Sequence, residues 1–280
     1  MKVFTAISEL QAEITTLRQQ GKTIGFVPTM GALHRGHVSL VEESNAQTGI
    51  TAVSIFVNPT QFNNPSDFEK YPITLEADKE KLIAADCDIL FLPEVKEMYP
   101  EKDTRKFNFD GIDRVMEGEF RPGHFNGVAQ IVSKLFDAVK PDKSFFGQKD
   151  FQQLAIIKKM VSKLNYPVEV IGCPIIRKNN GLAMSSRNVR LSESESEKSL
   201  LLSQCLFKIE ELRKSMSVQE VSAWVEKQFE NDPVYDFEYF RIVDNLSLVA
   251  SESWTDAGEK VACIAVHVGT VRLIDNIALS

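Results

Sequence analysis

No apolar run in this chain approaches the roughly 20 residues that cross a bilayer. The opening residues, Met1-Lys2-Val3-Phe4-Thr5, lead into polar, helix-like sequence without the apolar core of a secretory signal. Neither a membrane anchor nor an export signal is therefore expected, and the cytoplasm is the default compartment. Cysteine is scarce. Cys87, Cys173, Cys205 and Cys263 lie far apart and form no C-x-x-C pair, which argues against a disulfide frame or zinc site and for reduced, buried thiols. Positive charge is in deficit, 32 Lys and Arg against 39 Asp and Glu, for a net charge of -7 and a pI near 5.3. That balance speaks against nucleic acid or an acidic membrane as partner, although a single cleft can still be cationic. Internal repeats are missing, and the only low-complexity tract is a short Ser/Glu alternation at 192–197. What remains is 280 residues, 43% hydrophobic and 25% charged, an ordinary globular composition with enough chain for two cores.

Short segments rich in Val, Ile and Phe at 23–27, 50–57, 88–92, 143–146 and 168–176 predict strands. Helices are expected between them at 37–47, 74–85, 126–139 and 151–164, the last with Leu154, Ile157, Val161 and Leu164 on one buried face. This alternation predicts an α/β fold, a Rossmann-like doubly wound parallel sheet whose ligands bind beyond the carboxyl ends of its strands. The pattern changes after about Arg190. Ser192 with Glu195 three residues later reads as a capped helix start. Helices at 193–214 and 217–230 and strand-like runs at 237–243 and 261–273 predict a smaller α+β domain. The expected division is 1–176, an active-site loop and linker at 177–190, and 191–280.

Three motifs carry chemistry. In Met30-Gly31-Ala32-Leu33-His34-Arg35-Gly36-His37, two histidines three apart stand where a strand hands over to a helix. Free N–H groups at a helix start favour phosphate, and paired imidazoles suit charge building up in a transition state. The competing readings are a metal site, with neither cysteine nor carboxylate inside the motif to complete it, and a pair of surface histidines. In Gly147-Gln148-Lys149-Asp150, a strand ends at glycine before a lysine able to meet phosphate and an aspartate suited either to a ribose hydroxyl or to capping the next helix. In Gly181-Leu182-Ala183-Met184-Ser185-Ser186-Arg187-Asn188, two hydroxyls beside an arginine suit phosphoryl oxygens, and a polar interdomain linker would look the same. Two further segments emerge near the same edge: Asn58-Pro59-Thr60-Gln61-Phe62, and 121–127, which reads equally as a structural turn.

Taken in order, the segments 28–37, 56–62, 121–128, 146–153 and 181–188 resemble the pantothenate synthetase family, the pantoate–β-alanine ligases of the class I nucleotidylyltransferase group. The resemblance covers essentially the whole chain and is carried by five ordered motifs. It implies an ATP-dependent, AMP-forming ligase that joins pantoate to β-alanine through a pantoyl adenylate, with ATP and Mg2+ required and a homodimer as the acting form. By resemblance, Met30, Gly31, Ala32, Leu33, His34, Arg35, Gly36 and His37 line the triphosphate, with His37 the proton donor to the leaving phosphate and His34 its helper. Gly147, Gln148, Lys149 and Asp150 hold the nucleotide, Ile176 meets adenine through its backbone, and Met184, Ser185, Ser186 and Arg187 complete the phosphate clamp. Gln61 and Gln153 grip pantoate, and Asn58 lies near the path of the second substrate. His37, Lys149 and Arg187 are thus expected to surround one triphosphate.

The chain departs from the family at Tyr71-Pro72-Ile73, where an arginine usually stands in place of Ile73, and at Gln148, Lys178 and Asn179. None of these removes a residue assigned to chemistry. No metal ligands are assigned, and Asp78 is noted only as a candidate. Two other readings remain at this point: another H-x-G-H nucleotidylyltransferase, which would have no need of the paired glutamines, and a nucleotide-sensing module without catalytic power.

Overall fold

The computed structural model describes residues 1–62 and 68–279. The chain divides into two compact units, Met1–Gln148 with Gln153–Pro174, and Lys149–Gln152 with Ile175–Ser280.

In the first unit, alternation along short strands builds two cores from one sheet. The strands β1 (Lys2–Phe4), β2 (Ile24–Thr29), β3 (Ile50–Ile55), β4 (Ile89–Phe91), β5 (Lys143–Gly147) and β6 (Glu169–Cys173) form a six-stranded sheet in the order β1-β4-β3-β2-β5-β6. Every pairing is parallel. Successive side chains point to opposite faces of a strand. Phe26, Ala52, Ile89, Phe91 and Phe146 accordingly join one buried cluster with Leu10 and Ile14 of the helix Ile7–Gln19, with the helix His124–Val139 and with Phe151–Leu164. Their immediate neighbours Val27, Val53, Leu90 and Phe145 join the other cluster, with Leu40 and Val41 of Arg35–Gln47 and Leu82 of Leu75–Ala84. Helices therefore cover both faces, as the pattern predicts.

The helix Phe151–Leu164 has the expected bounds, but its buried face is carried by Leu154, Ile156, Ile157 and Met160, whereas Leu164 is 44% exposed at the last turn. The strand pattern does not predict β1. Three residues are too few for alternation to register, and pairing with β4 makes this segment a strand.

In the second unit, Glu193–Lys198, Leu200–Leu212 and Val218–Phe229 are helices, and β7 (Tyr235–Asp244), β8 (Lys260–Val268) and β9 (Val271–Leu279) form an antiparallel sheet. Ser192 and Glu195 make the predicted capping box. Two expectations are corrected here. The helix expected at 193–214 is two helices joined at Ser199, and the run at 261–273 is not one strand but a hairpin. Gly269, at φ +57, supplies the left-handed residue of its two-residue turn. The apolar residues on either side of that turn continue so evenly that it is read through.

All four cysteines are buried and reduced. Burial pushes the thiols of Cys87 and Cys205 up to about 12 and that of Cys173 to about 11, so they serve as small apolar groups rather than nucleophiles. No helix among the described residues is long and apolar enough to cross a membrane.

Candidate active site

Chain direction through the sheet reverses at β2: β3 and β4 lie on one side of it and β5 and β6 on the other. In an open parallel sheet the crevice at such a switch point is where ligands bind. The carboxyl end of β2 carries residues 30–37, and that of β5 carries Gly147.

The helix after β2 begins at Arg35, two residues earlier than the sequence predicts, because His34 acts as its N-cap. His34 Nδ1 accepts from Gly36 N–H at 3.1 Å, and His37 Nδ1 accepts from His34 N–H at 3.3 Å. This is a capping box built from two imidazoles in place of Ser and Glu. A ring nitrogen that accepts cannot carry the proton, so each neutral imidazole keeps its hydrogen on Nε2. The rings lie close, 4.1 Å between centroids. Backbone geometry thus sets the tautomer of both histidines. Arg35 is exposed and its guanidinium pairs with Glu42 at 2.7 Å, so the group it can offer a phosphate is its backbone N–H in the first turn.

The turn leading into this helix is held from below. Gly31 and Ala32 both have positive φ, 84° and 49°, a conformation that costs alanine about 1–2 kcal/mol. Asp78, on the helix Leu75–Ala84 and 1% exposed, repays this. Its Oδ2 accepts from Ala32 N–H at 2.8 Å and its Oδ1 from Leu33 N–H at 2.7 Å, with the Thr74 hydroxyl donating at 3.1 Å. Lys81, from the next turn, donates to Leu33 O at 2.7 Å. From the sequence alone Asp78 is only a metal candidate. An aspartate in a first helical turn looks like ordinary helix electrostatics, and nothing local reveals which N–H groups it receives. Its oxygens are spent on the loop. Among the described residues, no group of three or more His, Cys, Asp or Glu is placed to hold a metal ion.

Beyond β3, Asn58 is 1% exposed and its amide is fully used. It donates to Gln61 Oε1 and to Gly127 O, both at 3.2 Å, and accepts from the Tyr99 hydroxyl at 2.8 Å. Burial pushes the Tyr99 phenol above its ordinary range, which keeps that donor protonated. These bonds make Asn58 a brace for the Gln61 side chain. Gln61 Nε2 reaches Met30 Sδ at 2.9 Å, and its backbone carbonyl meets His124 Nδ1 at 2.8 Å. Residues 121–123 turn into the helix His124–Val139, which begins two residues before the expected start at 126 with Gly123 as its N-cap at φ 82°. A Cβ on Gly127 would stand 2.5 Å from Thr60 O, so only glycine lets this helix press against the Gln61 turn.

A cavity of about 350 Å³ lies against the loop, lined by Met30, Ala32, Ile73, Asp78 and Glu94 among others. Ile73 is 83% exposed. Gln153, in the first turn of its helix, is half-buried.

The second unit holds the remaining predicted residues except Gly147 and Gln148, the latter exposed at the end of the first unit. Lys149 is half-buried and Asp150 exposed. Ile176 O accepts from Met184 N–H at 2.9 Å, and Arg177 bridges Ala183 in antiparallel fashion, so residues 176–184 form a tight two-armed loop. Ser185 Oγ caps the short turn Ser186–Arg190 by accepting from Arg187 N–H at 3.2 Å. The hydroxyl keeps its own hydrogen to donate. The loop is thus held together by its own hydrogen bonds.

The chain is 56% identical over 277 residues to the pantothenate synthetase of Bacteroides thetaiotaomicron, covering 99% of this chain and 98% of that one. It is similar to the solved pantothenate synthetase of Thermus thermophilus, with 39% identity, a TM-score of 0.92 and 99% of each chain covered. It is also similar to the pantoate-beta-alanine ligase of Francisella tularensis solved in complex with beta-gamma ATP and beta-alanine, with 33% identity, a TM-score of 0.83, and 99% and 97% covered. The family model described as Pantoate-beta-alanine ligase matches residues 2–278, and the chain belongs to the pantoate-beta-alanine ligase family.

Proposed function

We propose that this protein joins pantoate to β-alanine in two steps at the cost of one ATP. A pantoate carboxylate oxygen attacks the α-phosphorus of ATP in line. The bond from that phosphorus to the bridging oxygen breaks, and pyrophosphate leaves with the electron pair. The amine of β-alanine then attacks the acyl carbon of pantoyl adenylate, the C–O bond to AMP breaks, the nitrogen gives up a proton, and pantothenate and AMP are released. A bare carboxylate would have to expel oxide, so adenylation supplies the leaving group that the first step lacks.

The observation that carries this reading is the imidazole capping box at the head of Arg35–Gln47, which keeps a proton on Nε2 of both His34 and His37. Two preset donors at a helix N-terminus suit negative charge growing on a departing pyrophosphate, and phosphoryl transfer asks a protein mainly for positioning and charge stabilisation. In this proposal His37 donates to the leaving group and His34 assists. Lys149 and Arg187 neutralise phosphate, Ser185 and Ser186 donate to its oxygens, Asp150 accepts from ribose, and Ile176 meets adenine. Gln61, braced by Asn58, and Gln153 bind pantoate. ATP enters as its Mg2+ complex, a substrate whose metal is held by phosphates and water. The ligand complex of the Francisella tularensis relative supports ATP and β-alanine as substrates here, and the family resemblance supports a cytoplasmic homodimer.

The decisive experiment is AMP formation with each substrate omitted in turn. Pyrophosphate release that depends on pantoate, and AMP release that depends on both pantoate and β-alanine, is the expected result. Pyrophosphate release without pantoate, or none under any condition, would refute the proposal in favour of another nucleotidylyltransferase or a binding module. Gln153→Ala should raise KM for pantoate about tenfold, the loss expected for one or two polar contacts, while KM for ATP stays within about twofold. An equal rise in both constants would move Gln153 to the nucleotide.

A further inference from the structure

Two of the segments proposed to bind nucleotide, Lys149 and the loop leading to Ser185–Arg187, are separated by some thirty-odd residues, about the length of a helix and a strand. Within the second unit both are tied to the same two residues near the end of the chain, at the middle of β9. Asn276, 6% exposed, donates from Nδ2 to the backbone carbonyl of Lys149 at 2.9 Å. Asp275, 4% exposed, receives the Arg177 guanidinium in a two-pronged pair, 2.6 Å to Oδ2 and 2.9 Å to Oδ1. The same guanidinium donates to Gly181 O and to Asn276 O, each at 3.1 Å, and lies 5.0 Å over the Phe207 ring. Arg177 in turn bridges Ala183. The carbonyl of Ala183 accepts from Asn188 Nδ2 at 3.1 Å, which pins the base of the 185–188 turn.

We propose that Asp275 and Asn276 are positioning residues for ATP. Asn276 fixes the main chain from which the Lys149 ammonium extends, and Asp275 acts through Arg177 to fix the arms that carry Ser185, Ser186 and Arg187. The proposal rests on the nucleotide-binding roles given to those residues above. Its physical basis is that a bidentate Arg–carboxylate pair, here with a buried carboxylate, is directional as well as strong, so it holds a loop in one geometry where a single contact would let it swing. Adjacent residues of a strand ordinarily face opposite ways, and here the pair serves the two segments separately, one each.

The test is steady-state kinetics on the full chain with Asn276→Ala, Asp275→Asn, Lys149→Ala and Arg272→Gln. The last is a control on the same strand, whose guanidinium pairs with Glu238 at 2.6 Å and has no part in the proposed machinery. Both Asn276→Ala and Asp275→Asn should raise KM for ATP about tenfold, the loss of roughly one buried hydrogen bond's worth of organisation, with KM for pantoate within about twofold. Arg272→Gln should move neither constant. A general loosening of the sheet would lower the yield of active enzyme or shift both constants together, so the split between substrates separates positioning from mere stability. If Asn276→Ala does not accumulate as folded protein, Asp275→Asn, nearly isosteric, carries the test alone. Unchanged KM for ATP in these variants, or a matching rise in Arg272→Gln, overturns the inference while a raised value in Lys149→Ala leaves the underlying reading standing. An unchanged value in Lys149→Ala overturns that reading and the inference with it.

Discussion

Replacing His37 by alanine is expected to lower pantoate-dependent exchange of pyrophosphate into ATP by about two to three orders of magnitude, the loss seen when a preorganised donor to developing charge is removed. The imidazole is preorganised twice over, by a helix that starts at Arg35 and by an Nδ1 that accepts from the His34 N–H. Alanine deletes the Nε2–H donor and one half of the cap. His34 and His37 are both only partly buried, so water can take the orphaned N–H, and the stability cost should stay within the roughly 0.5–2 kcal/mol of an ordinary lost N-cap. Glutamine, which can place an amide N–H near the former Nε2, should recover part of the rate. The measurement pairs a thermal melt with isotope exchange. A folded His37→Ala enzyme exchanging at the parental rate would remove this side chain from the chemistry.

Asp78→Ala is expected to cost both stability and activity, for one reason. The side chain is 1% exposed and takes backbone N–H groups from Ala32 and Leu33 as well as the Thr74 hydroxyl. A buried donor left without an acceptor costs about 1–3 kcal/mol. Two or three such losses, offset by no longer burying a carboxylate, should lower unfolding free energy by about 3 kcal/mol. The loop would then have little to oppose the strain at Ala32, and relaxation there would shift His34 and His37 together. A displacement on the order of 1 Å at a reacting group costs about a hundredfold, so turnover should fall by that order even in molecules that remain folded. Urea unfolding and exchange kinetics would be run on the same preparations. Asp78→Asn, which keeps the shape but presents an N–H to one of the loop donors, should fall between alanine and the parent. Parental stability and turnover in Asp78→Ala would show that the 31–33 turn holds itself.

The two predictions differ in how far each was legible beforehand. His37 stands in a motif of eight adjacent residues in which glycines, histidines and a strand-to-helix change announce one another. Asp78 acts on residues 45 and 46 positions away, and its own neighbourhood says no more than helix start. Asn58 shows the reverse case. Its place after a strand marks it as important, yet only the packed structure reveals that Tyr99, Gly127 and the half-buried Gln61 take up its amide. The hairpin at Gly269 was hidden by even apolar spacing on either side, whereas the Ser192–Glu195 capping box was readable because all its atoms come from one helical turn.

By itself the sequence determined the alternation of strands and helices, the parallel doubly wound sheet, the smaller second module and the motifs that place the chain among its relatives. These depend on periodicity, caps and turn residues, whose physics acts over about one or two turns of chain. Tertiary structure alone decided the reversal at β2, the carboxylate beneath the His34–His37 turn, the saturation of Asn58 and the joint hold of Asp275 and Asn276 on Arg177 and Lys149. Each depends on which distant segment a buried polar group meets. A buried hydrogen bond requires a partner but does not encode in local sequence where that partner comes from.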